Sequence, residues 1–129
     1  MAININVDDQ LGLEYMFKIA GKRRGLIYDD ECALEIQRVE LTVAKSFKKI
    51  QDLDDDDLDN LEVDDQLDIV RGAYADIRKA VIPFFDKYFG EGAGQEIYEY
   101  YHESTHALGA VFGEINGYLE KVKINDKKK

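Results

Sequence analysis

The sequence predicts a mainly α protein: a helical domain of four to five helices with a short N-terminal β-hairpin. Three observations carry that expectation. Apolar residues recur at three- and four-residue steps through most of residues 29–123, the signature of a helix with one buried face. Two-residue alternation, the period of a strand, is confined to the first 28 residues. No linker or Pro/Ser-rich stretch interrupts the 129 residues, so a single domain spans 1–129, ending in a basic tail, 124–129, expected to fray.

The elements follow in order. In "AININV", residues 2–7, Ile3, Ile5 and Val7 point one way and Asn4 and Asn6 the other. Residues 13–19 alternate again through Leu13, Tyr15, Phe17 and Ile19. Gly21 and Gly25 bracket "KRR" as a polar loop, and "LIY" at 26–28 reads as the returning strand. Asp29 or Asp30 can cap a helix over about 30–51, with Glu31 in its first turn. Its stripe is Cys32, Ile36, Val39, Val43, Phe47 and Ile50, and Leu34 and Leu41 widen it toward a second neighbour. A second stripe runs Leu67, Val70, Tyr74, Ile77, Val81, Phe85 and Tyr88. Pro83 falls inside it, which predicts a kink or break near 79–83. "FGEGAG" ends that helix, with Gly90 suited to the position just past a C-terminus. "QEIYEYY" resumes helix, and Ala107, Leu108, Val111, Phe112, Ile115, Leu119 and Val122 mark the last amphipathic one.

Composition narrows the function classes. Hydrophobic residues make up 45% and charged residues 34%, an ordinary globular mix. A formal charge of −10 argues against a general nucleic-acid or anionic-membrane binder, because phosphates call for Lys and Arg. No apolar run reaches the roughly 20 residues that span a bilayer. "MAININVDDQ" does not read as a signal peptide. The one cysteine, Cys32, precludes an internal disulfide framework and fits a reducing compartment.

Residues 52–65 carry nine acids: Asp52, Asp54, Asp55, Asp56, Asp57, Asp59, Glu62, Asp64 and Asp65. A calcium loop needs oxygen ligands at positions 1, 3 and 5, a Gly at 6 and a Glu at 12. Frames from Asp52 and Asp55 supply the first three, but no frame supplies both the Gly and the Glu. The expected role is a solvated connector tacked down by Leu53, Leu58, Leu61 and Val63. An acidic DNA mimic is the rival, although its acids would be spread along an extended face.

"HESTH", residues 102–106, holds both histidines and matches a zinc hydrolase motif. On one helix, His102 and His106 would share a face with Glu103 as general base. A catalytic zinc needs a third protein ligand, and Glu114 lies about 12 Å farther along the same helix. Both histidines also fall opposite the apolar stripe. The unbroken phase of that stripe favours one helix through the segment. Ser104 and Thr105 are better caps than interior residues and favour a new start at Ser104, which is the expected outcome. No metal and no cofactor is expected.

Gly109, Gly113 and Gly117 form a row at four-residue spacing, each costing about 1 kcal/mol against alanine in a helix. Three in register suggest close approach of another backbone, within the chain or from a second copy. The aromatics near residues 84–101 fit a core, or in part an exposed partner patch. Phe84, Phe85, Phe89, Gly109, Gly113 and Gly117 are therefore the candidate partner-binding and self-association residues.

The stretch "IPFFDKYFGEGAGQEIYEYYHESTHALGAVFGEINGYLEKV", residues 82–122, resembles tail assembly chaperones of siphophages and prophages of Gram-positive hosts. The motif residues are Phe84, Phe85, Asp86, Phe89, Gly90, Glu91 and Gly92, between a long helix and a short one. The upstream order, strand pair then long helix then acidic connector, also fits. Pro83 and the histidine pair depart from the pattern. The resemblance implies a helical, non-enzymatic protein of the host cytoplasm that coats the tape measure protein and helps recruit tail tube subunits. It also implies a homo-oligomer, with no nucleic acid and no membrane among its partners.

Overall fold

The computed structural model describes residues 2–7, 14–54 and 62–128, with the backbone alone given at 54 and 121–128. The described part is a two-stranded antiparallel hairpin and four α-helices. β1 is Tyr15–Ile19 and β2 is Lys22–Leu26. α1 is Asp30–Gln51, α2 Val63–Phe89, α3 Ala93–Tyr100 and α4 Thr105–Lys128. One 3-10 turn, Asp52–Asp54, follows α1. The acidic positions 55–61, and the proposed contacts of Leu58 and Leu61, lie outside the described residues. None of the helices among the described residues is long and apolar enough to cross a membrane.

The hairpin is shorter and differently placed than the alternation predicts. Tyr15 pairs with Leu26 and Ile19 with Lys22, so Lys22, Arg23 and Arg24 are strand, not loop. The turn is Ala20–Gly21, and both have positive φ, 53° and 77°, as the tight type I′ turn requires. Residues 2–6 form no strand, and Leu13 lies outside the described part.

α1 begins where the capping logic places it. The Asp29 carboxylate accepts from the Cys32 amide at 2.8 Å, and Asp30 and Glu31 occupy the first turn. Cys32, Ile36 and Val39 are buried, whereas Leu34 and Leu41 point to solvent and do not meet a second neighbour. α2 runs through Pro83 as one helix, so of the kink or break expected near 79–83 the break is not formed. Val81, Phe84 and Phe85 on either side are buried, and that packing offsets the roughly 3 kcal/mol a helical proline costs. α1 and α2 lie antiparallel, since Lys87 near the end of α2 reaches Glu31 at the start of α1, at 2.8 Å. α4 supplies Leu108, Phe112, Ile115 and Leu119 to the same core. Its helix continues to Lys128, past the point where fraying was expected.

Two devices seat α3. The Asp86 carboxylate of α2 accepts from the Gly94 amide at 2.8 Å, capping a helix whose own N-cap, Gly92, has no side chain. Gly94 itself has no room for a side chain, because a Cβ there would stand 2.4 Å from the Ile82 carbonyl oxygen. The hairpin docks on this end of the molecule. The Ala20 amide donates to Tyr101 Oη at 3.2 Å, and Arg24 bridges the Ile19 carbonyl and Glu96.

Candidate partner-binding groove

The HESTH segment is a junction between helices. α3 closes with the Glu103 amide donating to the Tyr98 carbonyl at 2.8 Å and the His102 amide to the Glu99 carbonyl at 3.0 Å. That is the Schellman pattern, with His102 at the left-handed position, φ 62°. Glu103 follows with φ 56°. Ser104 then starts α4: its hydroxyl accepts from the Ala107 amide at 3.1 Å and its carbonyl from Leu108 at 3.0 Å. His102 and His106 therefore do not share a helical face, and the geometry that the zinc hydrolase motif requires is not formed. His106 instead stacks on Phe47, with ring centroids 5.3 Å apart, and its Nε2 lies 3.0 Å from Tyr74 Oη. Among the described residues no three His, Cys, Asp or Glu side chains converge as a metal site would need.

The sequence candidates for partner binding divide. Phe84 and Phe85 are buried in the core, with Phe84 edge-on to Phe112 at 5.3 Å. Both pack in the core, and Phe84 also contributes to the floor of the trough between α1 and α2. Phe89 is half-buried against Phe85. Gly109 faces the Phe47 ring, which a Cβ would meet at 3.4 Å, so its close neighbour is a side chain of α1 and not a backbone. Gly113 and Gly117 are exposed with open space above them.

The larger surface feature was not anticipated from the sequence. An open trough runs between α1 and α2, in two sections of about 590 and 320 Å³. Both sections share Arg38, Thr42, Lys79 and Ala80, so they are one groove. Its floor includes Val39, Ser46, Ala80 and Phe84. Its walls carry Arg38, Lys45, Lys48, Lys49, Lys79 and Lys87 against only Glu35, Asp52 and Asp76. From Glu35 to Asp52 the groove follows α1 for roughly 25 Å, the length of a helix of four to five turns.

The electrostatics of the walls are uneven. Arg38 holds Glu35 and pulls its carboxyl below the usual glutamate range. Lys87 is tied to Glu31, which raises its ammonium pKa, and Lys49 meets Asp76 at 3.6 Å. Lys45, Lys48 and Lys79 make no ion pair among the described residues. Pro83, on the rim, has no N–H to give, so the Lys79 carbonyl lacks its helical donor. In a chain with 27 acidic and 17 basic residues, one groove thus gathers six cations. A signal for it does exist in the sequence: Arg38, Lys45 and Lys49 stand seven and four residues apart on one face of a helix.

At one end of the groove, under Lys87, the Cys32 thiol is buried, and burial pushes it up to about 11. The Tyr88 hydroxyl beside it is also buried and has no well-aligned hydrogen bond, leaving the thiol as its weak polar neighbour. Burial raises the Tyr88 pKa too. Neither group is primed as a nucleophile. Comparison with protein-family models, with curated proteins and with solved structures returned no match to the chain.

Proposed function

We propose that the chain is a non-enzymatic tail assembly chaperone, which binds the tape measure protein and helps recruit tail tube subunits. The observation that supports this most is the trough between α1 and α2. It is open and roughly 25 Å long, the form that suits an elongated protein segment better than a small molecule. Lys45, Lys48 and Lys79, which make no ion pair among the described residues, favour a segment bearing carboxylates. Further support comes from the resemblance of residues 82–122, whose Asp86, Gly90 and Gly92 have definite structural work at the α2–α3 turn. Self-association is part of the same proposal, and exposed Gly113 and Gly117 remain available to it.

The experiment is co-expression of a tagged chain with the tape measure and tail tube proteins encoded beside it, followed by affinity capture. Capture of the tape measure protein is expected, and its loss in a Lys45→Glu, Lys48→Glu, Lys79→Glu variant that keeps its helical circular dichroism. No capture by the wild type, or undiminished capture by the variant, sinks the reading. Gene order gives an independent check: a major tail protein gene upstream and a very long tape measure gene downstream.

A further inference from the structure

The hairpin sheet has two strands, and β1 pairs with β2 alone among the described residues. Beside β1 lies an apolar cleft of about 290 Å³. Its walls take Phe17, Lys18 and Ile19 from β1, nothing from β2, Val111, Glu114, Ile115 and Tyr118 from α4, and Tyr101 from the end of α3. Three consecutive residues of one strand and none of the other place the opening at the edge of β1 away from β2. Such an edge, floored by apolar side chains, is the geometry that accepts an added strand. Backbone groups supply the pairing, and alternate side chains of the incoming strand enter the cleft.

The chain carries a segment of matching pattern. Residues 2–7 alternate Ile3, Ile5, Val7 with Ala2, Asn4, Asn6. In the single copy residues 2–6 belong to no regular element and Val7 is helical, and Ile3, Ile5 and Val7 are 85%, 66% and 53% exposed. Three β-branched residues in alternation are suited to a strand with one buried face and ill-suited to water. The apolar side chains of Ile3, Ile5 and Val7 and the cleft beside β1 are thus all left open to solvent by one copy of the chain. The seven residues from 8 to 14 can extend at most about 25 Å, enough for the arm to reach a neighbouring molecule.

We propose that residues 2–7 of one copy add as a third strand to β1 of a second copy, with Ile3 and Ile5 packing into the Phe17–Tyr118 cleft. The exchange is reciprocal: each copy gives an arm and receives one, so the contact closes as a two-fold dimer. Asn4 and Asn6 then face solvent on the outer side of the strand. The inference does not depend on what the groove between α1 and α2 binds.

Sedimentation velocity over a dilution series tests it, with the wild type compared with Ile3→Asp/Ile5→Asp on the arm and Tyr118→Asp in the cleft. The arm lies outside the core and Tyr118 is half-exposed, so both variants should keep the wild-type circular dichroism. The wild type is expected to dimerise. Loss of one buried isoleucine contact raises the dissociation constant about tenfold or more, so both variants should run as monomers at concentrations where the wild type is paired. Chains carrying Ile5→Cys, mixed with chains carrying Tyr118→Cys, should oxidise to a mixed disulfide dimer. A wild type that is monomeric throughout overturns the proposal, as does an arm variant that dimerises like the wild type. So does a disulfide that forms only within one chain bearing both cysteines, which would put the arm in its own cleft.

Discussion

The backbone amide of Glu103 donates to the carbonyl of Tyr98 at 2.8 Å, five residues back. That bond requires His102 to take a left-handed conformation, which glycine adopts freely and a residue with a Cβ does not. His102→Gly should therefore stabilise the fold by about 1 kcal/mol, read as a rise in the urea midpoint with an unchanged slope. A drop in the midpoint would mean that the imidazole makes a contact worth more than the backbone strain.

The glycines of the chain should respond oppositely to the same substitution. Gly94→Ala places a methyl 2.4 Å from the Ile82 carbonyl oxygen, which must push α3 off α2. A loss on the order of 2 kcal/mol is expected, in the range of overpacked cores. Gly113→Ala and Gly117→Ala meet open space inside a helix and should each gain about 1 kcal/mol. If these two also weaken self-association, measured by light scattering, the Gly face is an interface; if mass is unchanged, it is not.

Glu96 accepts from both Lys22 and Arg24 at 2.8 Å, and these hydrogen bonds pull its carboxyl below the usual glutamate range. A depressed folded-state pKa gives stability that is present above the unfolded value and lost as pH falls through the folded one. Wild type should therefore exceed Glu96→Gln in stability at neutral pH. The gap should close as pH drops through and below the ordinary glutamate range. Urea midpoints of the two proteins along a pH series check this, and a gap that widens on acidification would contradict it.

Cys32 is buried with its thiol pushed up to about 11, so at neutral pH it is both covered and protonated. Alkylation by iodoacetamide should be negligible in the native protein and rapid in denaturant. Native labelling at the rate of a free thiol would show that the α1–α2 packing over Cys32 opens readily.

Much of this fold was legible in the sequence, for reasons that individual residues make plain. α1 matched its expected bounds because a capping Asp29 and a clean stripe from Cys32 onward agree with each other. The start of α4 was legible in Ser104. The hairpin was misplaced because Lys22–Arg24 read as a polar loop, although Arg24 is buried and paired with Glu96. Ala20 at the turn gave no warning, since alanine seldom takes positive φ. Pro83 does not break α2 because its lost bond is local, whereas Val81, Phe84 and Phe85 anchor the helix on both sides. Leu34 and Leu41 satisfied the periodicity and still face water, because periodicity marks a face and cannot say how wide the neighbouring surface is. The groove as a whole is not legible in the sequence because its cations come from two helices, and only their antiparallel packing brings Lys45 and Lys79 to one groove.

The attachment of the hairpin has a consequence for the order in which the chain assembles. A two-stranded ribbon is marginal by itself in water. Its ties, from Arg24 to Glu96 and from Ala20 to Tyr101, join residues 72 and 81 positions apart, so they form only after long loops have closed. The helices must therefore come together first and the ribbon settle last, and on the way out it detaches first. Amide hydrogens of Tyr15–Leu26 will exchange by this local opening while those of Ile77 and Val81 await global unfolding.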